Sequence, residues 1–78
     1  MSTSTPLLPN RQTSDDFGQP IHHSIGEVLY DAKTVHGGAW ALMTETSWKY
    51  HRATAKLGTG HGQKYQLGED GDWRKVEG

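Results

Sequence analysis

Three groups of residues in this chain have types and spacings that could support chemistry. The first is histidine. His22, His23, His36, His51 and His61 are the imidazoles of a 78-residue chain that contains no cysteine. Imidazole nitrogens bind zinc and other transition metals readily, so a histidine-only or histidine–carboxylate site is chemically possible. The spacings are not diagnostic. His22 and His23 are adjacent and would point to opposite faces of a strand, and no His-x-x-x-His occurs to place two rings on one helix face. Surface or turn histidines are the favoured reading. A metal set, if one forms, would draw on His22 or His23 with His51 and His61.

The second group is "KLGTGHGQKY", Lys56 to Tyr65, with glycine at 58, 60 and 62. A phosphate-binding loop follows a strand and opens a helix, so that backbone N–H groups at the helix N-terminus face the anion. Here the order is reversed, because the loop follows a predicted helix and precedes a predicted strand. Gln63 stands where G-x-G-x-x-G needs its third glycine, and no Gly-Lys-Ser/Thr occurs. The glycines are better explained by a chain reversal that needs positive φ and close backbone approach. A secondary role is an exposed loop that touches a partner.

The third group interleaves Lys49, Arg52, Lys56 and Lys64 with Trp48, Tyr50 and Tyr65. Cations for phosphates and aromatic faces for bases are what single-stranded DNA or RNA binding requires. The competing reading puts the aromatics in the core and the charges on a solvated face. Residues 44–67 carry four cations against one anion, Glu45, but acidic segments flank them and the whole chain has a net charge of -1. The candidate binding set is Trp48, Tyr50, Arg52, Lys56, His61, Lys64 and Tyr65. Near-neutral charge favours a protein partner, with nucleic acid as the alternative. Catalysis is not expected. Asp15 and Asp16 fall in a segment read as a flexible arm, and Glu69, Asp70 and Asp72 fall in a predicted turn. Neither group sits in a dry pocket that could tune a pKa, and no cofactor is implied.

The elements that must position these residues are few. Hydrophobic residues make up 32% of the chain, below the roughly 45–50% of an ordinary domain, so any core is small. Residues 1–16 are rich in Ser, Thr, Pro and Asp and are read as the flexible arm, in which Leu7–Leu8 could dock on a partner. Residues 17–78 are read as one small domain. Ile25, Val28, Leu29 and Tyr30 suggest a strand, with Gly26 as a bulge or close approach. "AWALM" reads as a buried strand, and the two pair as a hairpin, 25–32 with 38–43. Thr44 or Thr46 could cap a helix over 45–54, with Trp48, His51, Arg52 and Ala55 on one face. "QKYQL" and "DWRKV" alternate with period two around "GEDG", a second hairpin. No run approaches the roughly 20 apolar residues of a membrane helix. The N-terminus has no secretory signal pattern, which predicts a cytoplasmic location.

The string "YDAKTVHGGAWALMTETSWKYHRATAKLGTGHGQKYQL…DGDWRKVEG" resembles a group of small, uncharacterised phage and prophage proteins. They look like zinc ribbons, in which a Cys-x-x-Cys-Gly knuckle and a second one after Trp-Ala-x-Met give four thiolates to one zinc. On this resemblance the first knuckle's cysteines fall on Ser14 and Phe17, with Gly18 keeping the glycine. The second pair falls on Thr44 and Ser47. All four positions lack sulfur, and serine, threonine and phenylalanine are poor or impossible zinc ligands at neutral pH. The resemblance implies a zinc-ribbon-like α+β domain that folds without zinc, and a phage or prophage accessory protein. A structural zinc supplies about 10 kcal/mol to a small domain, so other interactions must replace it. The aromatics Phe17, Trp40, Trp48, Tyr50, Tyr65 and Trp73 are the candidates, and burying Phe17 would supply about 1.5–3 kcal/mol. On this reading EDTA leaves the far-UV circular dichroism and the melting point of the purified protein unchanged. A large loss of structure on chelation would overturn it.

Overall fold

The computed structural model describes residues 13–78; residues 1–12, with the Leu7–Leu8 pair considered for docking, lie outside the described residues. Four strands and a helix follow in the order β1 (Val28–Lys33), β2 (Trp40–Thr44), α1 (Glu45–His51), β3 (Gly62–Leu67) and β4 (Trp73–Glu77). This is a small α+β fold with both expected antiparallel hairpins. The hairpins also join, because β1 pairs with β2 on one side and β3 on the other, giving one sheet of order β2-β1-β3-β4.

The central strand divides the core in two. Successive side chains of a strand point to opposite faces. Leu29 therefore packs with Ile21, Leu67 and Trp73 on one face, where Leu42 and Tyr65 join them. Tyr30 and Ala32 pack with Met43 on the other, against Phe17, Trp48 and Leu57. The helix covers only this second face.

Several expected boundaries shift for local reasons. Gly26 is in a turn at φ +91°, closed by the Glu27 N–H donating to the Ser24 carbonyl, so the strand begins at Val28 and Ile25 is exposed. "AWALM" is an edge strand rather than a buried one, and Trp40 is 45% exposed. The helix starts as expected, with the Thr44 side chain capping the Ser47 N–H. It stops at His51 instead of 54. Arg52 is extended, and the Ala53 N–H donates to the Lys33 carbonyl at 2.9 Å, so pairing beside the end of β1 replaces a further helical turn. The glycine loop is a tight reversal: Gly58 and Gly60 have φ of +127° and +83°. Gly62 has another reason to be glycine, since a Cβ there would lie 2.4 Å from that of Ala32 on β1.

The largest correction concerns the supposed arm. Thr13 to Asp16 are part of the fold, and Asp15 is buried. One Asp15 oxygen accepts the N–H groups of Phe17 and Gln19, both at 2.9 Å. The other accepts the Thr44 N–H at 2.8 Å and the Thr44 hydroxyl at 3.0 Å. Asp16 continues the contact along the outer edge of β2: its carboxylate accepts the Leu42 N–H at 2.7 Å, and its own N–H donates to the Leu42 carbonyl at 3.0 Å. A search for apolar runs misses such a segment, because carboxylates bound to backbone amides hold it.

Burial pushes the Asp15 pKa up, but the donors from Thr44, Ser47, Gln19 and Phe17 outweigh it, and the carboxyl lies below its usual range. A depressed folded pKa stabilises above the unfolded carboxyl value of about 3.9, and that contribution disappears as pH falls through the folded value. Asp15→Ala leaves several enclosed donors unpaired at about 1–3 kcal/mol each, so urea titration at pH 7 is expected to show a loss on the order of 3 kcal/mol or more. Asp15→Asn is expected to be destabilised less, and to lose less additional stability than the wild type below about pH 4.

Candidate binding surface

Three of the sequence-predicted binding residues, Trp48, Arg52 and Lys64, meet around Tyr30, a buried residue of β1. Tyr30 lies opposite Lys64 in the β1–β3 register, which brings the Lys64 ammonium to 5.9 Å from the Tyr30 ring centre. From the helix side, the Trp48 ring stacks on Tyr30 with centroids 4.2 Å apart and planes 5° apart. Arg52, one helical turn on from Trp48, sets its guanidinium 4.4 Å from the indole centre. The result is an assembly of two stacked rings and two cations. The indole N–H of Trp48 is buried without a protein acceptor.

This assembly uses the Trp48 face that base stacking would need. Its charge is also mixed. The Tyr30 hydroxyl is pushed above its usual pKa by burial first, then by the nearby charges of Glu45 and Glu77, with Arg52 acting in the opposite direction. Two carboxylates therefore share the field of Arg52 and Lys64.

The predicted set does not form one strip. Trp48, Arg52 and Lys64 gather at Tyr30, but Tyr65 lies on the opposite face of the sheet, because adjacent residues of β3 alternate. Its ring packs against the Leu29 cluster, and its hydroxyl donates to the Gln63 side-chain carbonyl at 3.0 Å. Burial first, and then the charge of Asp31, raises the Tyr65 pKa. Asp31 is itself raised, by burial and by Asp16. Lys56 and His61 are exposed between α1 and β3. Tyr50 is 79% exposed on the helix. Of the aromatics expected to build the core, Tyr50 and Trp40 do not enter it, whereas Tyr30, a strand former in the sequence, stands at its centre.

The glycine loop offers no ready phosphate cradle. The N–H groups of Gly58, His61 and Gly62 donate within the loop, to Gly62, Gly58 and Gly58 respectively. The four positions that the resemblance aligns with zinc-binding cysteines also hold other roles. Ser14 bridges to Pro20. Phe17 stacks on His51 at 3.8 Å. Thr44 caps the helix and donates to Asp15. The Ser47 hydroxyl is buried outside ordinary hydrogen-bond geometry, yet close enough to favour the Asp15 carboxylate. These residues do not fit a zinc ion.

The histidines group differently from the expected set. His51 Nδ1 lies 2.9 Å from His36 Nε2, and His23 meets the edge of Trp73 at 6.3 Å. Among the described residues no three His, Cys, Asp or Glu side chains are arranged to hold a metal. His36 and Asp15 were legible as residue types, but no spacing pattern marks their partners.

Fold and surface together define a small α+β protein whose described residues form one four-stranded sheet, a single short helix and an aromatic–cation assembly at their junction. No protein-family model, curated protein or solved structure matches the chain. No helix among the described residues is long and apolar enough to cross a membrane.

The stack separates structural from surface aromatics. Trp48→Ala is expected to cost about 3 kcal/mol and Arg52→Ala about 0.5–1 kcal/mol. Tyr50→Ala should stay within about 0.5 kcal/mol of wild type, all read from chemical denaturation midpoints.

Proposed function

We propose that this protein is a non-enzymatic accessory factor that acts by binding another macromolecule, in the first place a protein. The phage or prophage setting rests on the sequence resemblance. The observation that carries the binding reading is Tyr50. Its ring is 79% exposed on a helix whose other aromatic, Trp48, is committed to the fold. Tyrosine anchors protein interfaces effectively, because it presents a large amphipathic ring at modest entropic cost. The mixed charge of the neighbouring stack supports a protein over a phosphate backbone, since Glu45 and Glu77 accompany Arg52 and Lys64 around Tyr30 and Trp48.

Two measurements test this. Pull-downs with wild type and Tyr50→Ala should differ in one captured protein, which the variant loses while its melting curve is preserved. Fluorescence anisotropy with single-stranded DNA and RNA at about 50 mM salt should show no saturable binding. Oligonucleotide binding that falls steeply with salt and is lost in Arg52→Ala or Lys64→Ala would overturn the protein reading in favour of nucleic acid.

A further inference from the structure

Two imidazoles from different elements face each other at the closed end of the first hairpin. His36 belongs to the turn between β1 and β2, and His51 is the last residue of α1. His36 Nε2 and His51 Nδ1 are 2.9 Å apart. In a metal-free pair one nitrogen donates to the other. With that bond broken, the same two nitrogens are close enough to bind one metal ion together.

The backbone holds the pair in place. The His36 N–H donates to the hydroxyl of buried Thr34 at 3.2 Å, and its carbonyl accepts from Ala39 at 3.3 Å. The Val35 N–H donates to the His51 carbonyl at 2.9 Å, which ties turn and helix together one residue from His36. Phe17 lies flat on the His51 ring, with centroids 3.8 Å apart and planes 3° apart. That contact fixes the plane of the His51 imidazole, while the exposed His36 ring can turn about its side-chain torsions to bring its lone pair toward a shared ion. His36 is exposed and His51 half-buried, so water can reach the remaining coordination positions.

We propose that His36 and His51 form a two-imidazole site for a divalent transition-metal ion, Cu²⁺ in preference to Ni²⁺ or Zn²⁺. The preference follows from the Irving–Williams order, in which a given set of imidazole nitrogens binds Cu²⁺ more tightly than Ni²⁺ or Zn²⁺. With no third ligand among the described residues, water completes the coordination, and the affinity is highest for Cu²⁺. Bound metal ties the hairpin turn to the helix end, a link additional to the hydrogen bonds that fold the chain.

The test is titration of the metal-stripped full chain with Cu²⁺, Ni²⁺ and Zn²⁺, followed by calorimetry and by proton NMR of the histidine rings. One equivalent of Cu²⁺ should broaden the His36 and His51 resonances first and leave those of His22, His23 and His61 sharp. His36→Gln and His51→Gln should each lose at least about tenfold in Cu²⁺ affinity, whereas His61→Gln should match wild type. First broadening at His22, His23 or His61, retained affinity in His36→Gln, or no binding at millimolar metal would each overturn the site. The NMR readout uses unsubstituted protein, so it stands even if a histidine variant folds poorly.

Discussion

A single buried carboxylate sets the geometry on which the rest of this protein depends. Asp15 accepts from four donors at once: two amides of its own turn, and the amide and hydroxyl of Thr44. Thr44 is both the last residue of β2 and the cap of α1. One ion therefore joins the first described turn, a sheet edge and the start of the helix. Charge-assisted bonds of this kind are roughly twice as strong as neutral ones, and removing one member leaves enclosed polar groups without partners. In a chain with few apolar residues and no disulfide, such a polar hub organises segments that hydrophobic packing alone would hold loosely.

The two sheet edges are managed by different means. Along β2, Asp16 bonds the N–H and carbonyl of Leu42, and Asp15 takes the N–H of Thr44, so side-chain and backbone groups stand where another strand would pair. At the other edge, the β3–β4 register slips between Lys64 and Tyr65, inserting Val76 as an extra residue in β4. Bulges and charged side chains both discourage strand addition, and β4 carries Arg74, Lys75 and Glu77 beside that bulge. Between the edges, the sheet supports a small core on each face instead of one large core on a single face. That division makes the Tyr30–Trp48 stack important, because the helix meets the sheet there.

The same arrangement decides which aromatics remain for partners. Arg52 covers the indole of Trp48 and Tyr30 backs it, so this ring belongs to the fold. Tyr50, two residues along the helix, faces away and keeps its ring exposed. Lys64 and Tyr65 part to opposite faces by strand alternation, which breaks a run that reads as one basic aromatic strip into two surfaces. Proximity in sequence was a poor guide to proximity in space, because the strand period is two and the apparent motif crosses from helix to loop to strand.

What the amino-acid order determined by itself was local. Period-two alternation around "GEDG" and the apolar run before Thr44 specified hairpins, Thr44 and Glu45 specified a helix start, and the glycines of "GTGHG" specified a reversal, because each depends on backbone preferences within a few residues. The merging of two hairpins into one sheet, the burial of Asp15, the Phe17–His51–His36 contact and the sandwiching of Trp48 were decided only by the tertiary structure. Each joins residues from separate elements. Asp15 and Thr44 are 29 positions apart, and no local preference encodes which distant amide a carboxylate will meet. Gly62 shows both levels in one residue: its place in the loop suggests a turn, but its need to be glycine comes from the Ala32 side chain across the sheet.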